Sequence, residues 1–344
     1  MVQAIVGEIH QRHGELHQQE LTSIYFGGGT PSLLSEADLE SIFDALAKYF
    51  NWTANTEITL EANPDDITKS KLKELYRVGI NRLSIGIQSF DDADLKFMNR
   101  AHNAAEADYC IDLALEAGFT QLTADLIYGS PTTSNATWQA NIEKMLGYNL
   151  AHISAYCLTV EEGTALHHQV KKGSSQPIDN DKAVRQFGTL IDLLTAADYE
   201  HYEISNFAKP EKYAVHNTNY WKGKPYLGLG PAAHSYDGVA TRGWNIAHNA
   251  QYITAINEGA TYHSIEELSE KDRYNEYILT ALRTKWGIEE EILKSKYSAQ
   301  WSQMMSDAKK LIEQGLLEQS GKKIILTRAG KYLADHVSMQ LFYD

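Results

Sequence analysis

Ser23-Ile24-Tyr25-Phe26-Gly27-Gly28-Gly29-Thr30-Pro31-Ser32-Leu33-Leu34-Ser35 reads as a buried strand, a glycine turn and the cap of a helix, and this order decides the fold. Ser35 with Asp38 three positions later makes a capping pattern, and Leu39, Ile42, Phe43 and Leu46 follow at helical spacing. The unit repeats. Residues 57–61 read as a second strand, Thr68 caps a helix holding Leu72, Leu75 and Tyr76 that stops at Gly79, and residues 82–88 form the next strand. A helix over about 104–117 ends at Gly118 before strand 121–127. The next ends near Gly147 before strand 152–157, and another over about 181–197 precedes a strand at 202–204. Strands alternating with helices predict right-handed crossovers and a parallel sheet covered on both faces, either open and doubly wound or a full or partial barrel.

Composition bounds the function. The 344 residues are 43% hydrophobic and 22% charged, ordinary values for a globular chain with a large core, and the length suits about two domains or one barrel with an appendage. A net charge of -14 repels phosphate backbones and anionic lipid surfaces, so nucleic acid is not an expected partner. No apolar run reaches the roughly 18 to 20 residues of a membrane span. The opening Met1-Val2-Gln3-Ala4-Ile5-Val6 lacks the features of a signal peptide, which makes the cytoplasm the expected compartment. Cys110 and Cys157 are the two cysteines, too few for a disulfide framework or for a zinc or iron–sulfur site built from cysteine alone.

From about Leu268 the pattern changes to helices near 272–283 and 302–314, then a hairpin of 316–319 and 323–326 around Ser320-Gly321, then a last helix capped by Thr327. This is a small helical domain with a winged hairpin. Residues 268–344 hold 12 basic and 11 acidic residues, which favours a lid or packing role over DNA reading.

Polar residues in buried strands need a reason, because an unpaired buried charge is costly. Glu61, Gln88 and Asp125 lie at or near the carboxyl ends of their strands, the face where parallel sheets and barrels bind ligands. Any one of them could instead cap a helix or bond a neighbouring strand; several on successive strands point to a site. The Gly27-Gly28-Gly29-Thr30-Pro31 turn can offer amides to a carboxylate or phosphate. It lacks the Gly-Lys-Ser/Thr of a Walker loop and the spacing of the dinucleotide fingerprint. Turn, acids and amide together suggest a small molecule carrying both a carboxylate and an amine.

Tyr25-Phe26-Gly27-Gly28-Gly29-Thr30-Pro31-Ser32-Leu33-Leu34, Glu61-Ala62-Asn63-Pro64, the stretch from Gly79 to Phe90, Asp125-Leu126-Ile127-Tyr128-Gly129 and His216-Asn217-Thr218-Asn219-Tyr220-Trp221 closely resemble one branch of the radical S-adenosylmethionine (SAM) enzymes. That branch is the oxygen-independent coproporphyrinogen III oxidase-like one, and the likeness is greatest to its HemW-type haem chaperones. The resemblance implies an α/β fold with a partial (β/α)6 TIM-like barrel, open on one side, over residues 1–205. A connecting segment with the His-Asn-x-x-Tyr-Trp motif over 206–267 and a winged-helix-like domain over 268–344 would follow. It also implies that Gly28, Gly29 and Thr30 hold the amino end of SAM, that Glu61, Gln88, Arg100 and Asp125 line the rest of that site, and that Cys157 contacts SAM or substrate.

Members of the family begin with a strand and a Cys-x3-Cys-x2-Cys loop that ligates a [4Fe-4S] cluster, and this sequence contains neither. The expectation is an amino-terminally shortened member, by a misassigned start or as a natural paralogue, that ligates no cluster and does not cleave SAM reductively. No residue is assigned a catalytic role, and whether the chain is an enzyme stays open. Cys110 falls on a helix stripe with Ala107 and Ala114, as a small buried side chain would.

Histidine can ligate haem iron, and tyrosine and tryptophan can pack on a flat macrocycle, so His216, Tyr220 and Trp221 are candidate haem contacts by chemistry as well as by resemblance. His234, in Gly228-x-Gly230-Pro231-x-Ala233-His234-Ser235, is a weaker candidate for the same role. Three functions compete: a haem chaperone delivering haem to acceptor proteins, an oxidase decarboxylating coproporphyrinogen III to protoporphyrinogen IX, and a transcription factor using the wing. The chaperone reading is preferred. The oxidase branch is expected to carry extra amino-terminal sequence holding a second SAM, which this sequence does not supply, and charge argues against DNA. Haem or porphyrin is the expected partner; the sequence does not name the acceptor.

Overall fold

A computed structural model describes residues 1–17, 20–173 and 176–343, which form two compact units. One comprises Tyr25–Leu33 and Glu57–Ala214; the other comprises Met1–Ile24, Leu34–Thr56 and Val215–Asp344.

Local chemistry starts and stops the helices where the sequence pattern predicts. Ser35 and Asp38 cap each other's backbone at the head of the Glu36–Ala47 helix, and Leu39, Ile42, Phe43 and Leu46 are buried on its inner face. Thr68 accepts from the Lys71 amide ahead of Lys69–Arg77, and Asn103 with Glu106 boxes the start of Ala104–Glu116. Gly79 and Gly118 close these two helices with φ of +97° and +93°. Tyr76, expected on the inner stripe, is instead 62% exposed and meets Phe119 edge-on.

The strands that follow are β1 Ser23–Phe26, β2 Glu57–Ala62, β3 Arg82–Gln88, β4 Gln121–Tyr128, β5 His152–Cys157, β6 Glu200–Glu203 and β7 Asn206–Ala208. They form one sheet in the order β1-β2-β3-β4-β5-β7-β6, with β2 to β5 paired in parallel. The ends of this order, β1 and β6, are not neighbours, so the strand–helix alternation makes an open, partial barrel rather than a closed one. At its far edge the simple alternation fails. The Glu203 carboxylate accepts from the Ser205 amide at 3.0 Å and from Asn206 Nδ2 at 2.5 Å, folding the chain back on itself. Hence β7 returns antiparallel and lies between β5 and β6, and Ile204 is a turn residue instead of the end of a strand.

At the amino ends of these strands lies a closed polar chain. Arg82 Nη2 donates to Thr123 Oγ1 at 2.6 Å, His152 Nδ1 sits 3.2 Å from that same oxygen, and His152 Nε2 lies 2.7 Å from the Tyr202 hydroxyl. Glu57 offsets the Arg82 charge at 3.7 Å. Each member is buried and partnered, as a structural band should be.

In the other unit, β8 His234–Tyr236, β9 Thr241–Asn245 and β10 His263–Glu267 form an antiparallel sheet in the order β10-β9-β8 that the strand pattern did not announce. The helix Glu270–Leu282 leads into β11 Ile288–Glu289 and the helix Glu290–Lys296, and the helix Trp301–Glu313 then leads into β12 Leu317–Ser320 and β13 Lys323–Leu326. The expected β12–β13 hairpin gains β11 as a third strand, and the last helix is two short ones, Arg328–Lys331 and Ala334–Met339. No helix among the described residues is long and apolar enough to cross a membrane.

The Val2–Arg12 helix, also unforeseen, buries Glu8 completely. Its carboxylate accepts from Arg12 Nη1 and Asn245 Nδ2, both at 2.7 Å, from the Gly230 amide at 2.7 Å and from the Tyr252 hydroxyl at 2.5 Å. Arg12 in turn reaches Glu15, the Gly228 carbonyl, Asn245 and Ser235. Removing one partner of a buried ion pair strands the other. Glu8→Ala should therefore lower stability by about 3 kcal/mol, near the low end of the usual cost because Glu15 still faces Arg12. Denaturant midpoints check this, with Lys69→Ala, from an exposed pair, as the silent control.

Candidate functional site

The carboxyl ends of β2, β3, β4 and β5 open into a cavity of about 300 Å³ lined by Gly29, Thr30, Glu61, Asn63, Ser84, Gln88, Arg100, Asp125 and Tyr156, among others. Six of the eight residues assigned to SAM from sequence thus meet around one space. Gly28 joins them through its amide, which donates to Glu61 Oε2 at 3.1 Å. Cys157 does not line the cavity; its sulfur lies 3.2 Å from where a Cβ on Gly129 would sit.

The glycine turn has two jobs. A Cβ on Gly27 would fall 2.4 Å from the Tyr25 ring and 2.9 Å from Glu61 Oε1, so this glycine makes room for the Tyr25 hydroxyl to donate to Glu61 at 2.6 Å. Gly28 and Gly29 have φ of +71° and +66°, and nothing lies within 4 Å of a Cβ at either, which leaves their backbone open to a ligand. Arg100 is held by Asn63 Oδ1 at 2.8 Å and by the Gly86 carbonyl at 3.2 Å.

Gln88 pays for its place. It has φ of +67° where the β3–β4 register shifts, and a Cβ on Gly86 would fall 2.7 Å from its side-chain nitrogen. Backbone strain of this kind is stored where a side chain must be aimed. Asp125 keeps some exposure toward the cavity, yet burial of its carboxyl pushes it up to about 7, with Glu61 adding to the rise and the Ser154 and Ser84 hydroxyls opposing it. Near neutrality this site can hold or release a proton, and it suits a cationic amine that would keep Asp125 ionised.

The Val215–Trp221 helix lies in the other unit. His216 is half-buried, its Nδ1 is 3.0 Å from Ser23 Oγ, and its ring meets Tyr220 edge-on at 4.8 Å. Burial brings its imidazole down to about 4, so it is neutral at physiological pH. Tyr220 is 41% exposed, whereas one face of the Trp221 ring lies under the Arg283 guanidinium at 5.3 Å. His234 is exposed on β8.

Family models for the radical SAM superfamily and for the HemN C-terminal domain match residues 4–145 and 268–333. The heme chaperone HemW of Bacillus subtilis is 32% identical over 323 residues, 93% of this chain and 85% of that relative. The Lactococcus lactis heme chaperone HemW is 30% identical over 100% of this chain and 90% of its own length. The chain belongs to the HemW family. Its fold matches that of coproporphyrinogen III oxidase (HemN) from Escherichia coli with a TM-score of 0.83 at 22% identity, over 99% of this chain and 82% of that one.

For this HemW-family chain, sequence reasoning overlooked Ser84, Asn63, Tyr156 and the Tyr25 hydroxyl. A signal for two of them existed: Ser84 and Gln88 share one face of β3, and Ser154 and Tyr156 share one face of β5, by the alternation of strand side chains.

An aspartate whose folded-state pKa is raised binds more protons folded than unfolded between about pH 4 and 7, so its contribution to stability falls as pH rises through that window. Asp125→Asn should therefore be neutral near pH 4 and stabilising by about 2 kcal/mol above pH 7, a figure discounted for screening by cavity water. Thermal unfolding of both proteins across that range checks it.

Proposed function

We propose that this chain is a haem-binding chaperone on a radical-SAM scaffold, holding haem through the His216 helix and passing it to an acceptor protein. The observation that carries this reading is the state of His216. A neutral imidazole with Nδ1 engaged by a hydroxyl and the ring steadied by Tyr220 is the form that takes a metal through Nε2. The names of its relatives, heme chaperones, support the same reading. Tyr220 would pack on the macrocycle, and Trp221, with Arg283 over one face, would mainly anchor the helix. On this reading the protein would work in the cytoplasm with haem or porphyrin as partner, and its net charge of -14 disfavours nucleic acid.

The same reading assigns SAM to the cavity. Open backbone at Gly28 and Gly29, with Thr30, suits an amino-acid end, while Glu61, Gln88, Arg100 and Asp125 would hold the remainder. Bound there, SAM would bring an amine and a sulfonium cation against two carboxylates. A [4Fe-4S] cluster does not fit the residues present. Of the two cysteines, Cys110 is buried, donates to the Ala107 carbonyl at 3.2 Å and is pushed up to about 12 by burial, which makes it inert. Among the described residues no three His, Cys, Asp or Glu side chains gather as metal ligands.

Hemin titration tests the chaperone reading. An ordinary imidazole is mostly protonated near pH 5.5, whereas His216 stays neutral, so a histidine-type Soret shift should persist there in the parent and vanish in His216→Ala. Tyr220→Ala should weaken binding by roughly five- to tenfold with the spectrum unchanged. A parent and His216→Ala that behave alike at that pH would overturn it. Calorimetry with SAM should show weak binding that Asp125→Ala reduces; equal heats would refute the cavity assignment.

A further inference from the structure

We infer that the outer edge of β10 is a self-association surface, where this strand pairs antiparallel with β10 of a second copy about a two-fold axis through Ile265. The inference stands apart from the haem and SAM readings. β10 is the last strand of its sheet, and among the described residues no strand pairs with its other side.

Which backbone groups reach that edge follows from the ladder. The Ile246 amide donates to the Tyr262 carbonyl and the Leu268 amide to the Ala240 carbonyl, both at 2.8 Å, so residues 262, 264, 266 and 268 turn their backbone groups toward β9. By alternation His263, Ile265 and Glu267 turn theirs outward. Such an edge is a template for another strand. Side chains leave it equally bare: Ser264, Ile265, Glu266 and Glu267 are all exposed, Ile265 to 64%. The neighbour of Ile265 across the ladder is Gly243, which has no side chain to cover it.

The order of residues selects the occupant. His263-Ser264-Ile265-Glu266-Glu267, set antiparallel against itself about Ile265, places each His263 opposite a Glu267, each Ser264 opposite a Glu266 and the two Ile265 side chains opposite each other. Residues 263, 265 and 267 thereby meet only one another, so every outward N–H and C=O finds a partner. Glu267 makes no ion pair among the described residues, and His263 Nδ1 is buried without a hydrogen-bond partner, which leaves Nε2 to make the ring's bond. Glu266 differs, because Arg242 already offsets its charge at 2.8 Å; the two Glu266 side chains, diagonal across the axis, do not meet as bare charges.

An arbitrary strand would gain the backbone bonds alone. A second copy also supplies a histidine for each Glu267 and an apolar side chain for Ile265, and the contact is isologous, joining two three-stranded sheets into one. The strand contributes 5 residues, fewer than the roughly 20 to 30 a side of a standard interface, so the dimer is reversible.

Sedimentation of the full chain tests this, in about 0.15 M salt to screen the net charge of -14 on each copy. The average mass should climb from monomer toward dimer between about 1 and about 300 μM. Ile265→Pro should stay monomeric, since it removes an outward N–H and leaves the bonds to β9 in place. Loss of the sheet would also give a monomer, so the charge pair decides. His263→Glu sets carboxylates opposite each other twice and should weaken the dimer about tenfold, and His263→Glu/Glu267→Lys should restore it. A parent that stays monomeric overturns the inference and leaves the edge to a strand of another protein. An Ile265→Pro variant that associates as the parent does, or a double variant no tighter than His263→Glu alone, overturns it too.

Discussion

Glu8 and Arg12 are both out of water, and a buried ion pair holds only when its remaining lone pairs and protons are also bonded. Here the bonding requirement shapes a whole unit. Two glycine backbone groups, Gly228 carbonyl and Gly230 amide, an asparagine from β9, a serine from β8 and the Tyr252 hydroxyl are all drawn to one helix turn. The loop from Gly228 to Ser235 owes its path to that convergence. Ala232 within it has φ of +59°, a conformation an alanine keeps only when its surroundings dictate it.

The other unit solves the same problem in two ways at the two ends of one sheet. At the amino ends, Glu57, Arg82, Thr123, His152 and Tyr202 satisfy one another, and burial holds His152 neutral. At the carboxyl ends, Glu61 is satisfied by Tyr25 and Gly28 while Asp125 is held between acid and carboxylate. The first arrangement is complete without a ligand. The second leaves Asp125 with a carboxyl that a cation would hold ionised, which is what sets a candidate binding site apart from a structural band.

The histidines divide along the same line. His216 has its ring shielded and one nitrogen engaged by Ser23, so its protonation is displaced far from neutrality, whereas His234 stands open beside an indole.

The sequence by itself determined the alternation of capped helices and buried strands, because Ser35, Thr68, Asn103 and the glycines at 79 and 118 act on their own neighbours within a few residues. It also determined which strand ends carry acids and an amide, since a polar residue at the end of an apolar run is visible in one dimension. The return of β7 between β5 and β6 was decided by the side chain of Glu203 bonding two residues ahead, a contact that composition does not reveal. That Gly27 serves Glu61, that Trp221 lies under Arg283, and that Trp244 faces His234 join residues 34, 62 and 10 positions apart in the chain. Such pairings depend on where the backbone returns, and only the tertiary structure decides that.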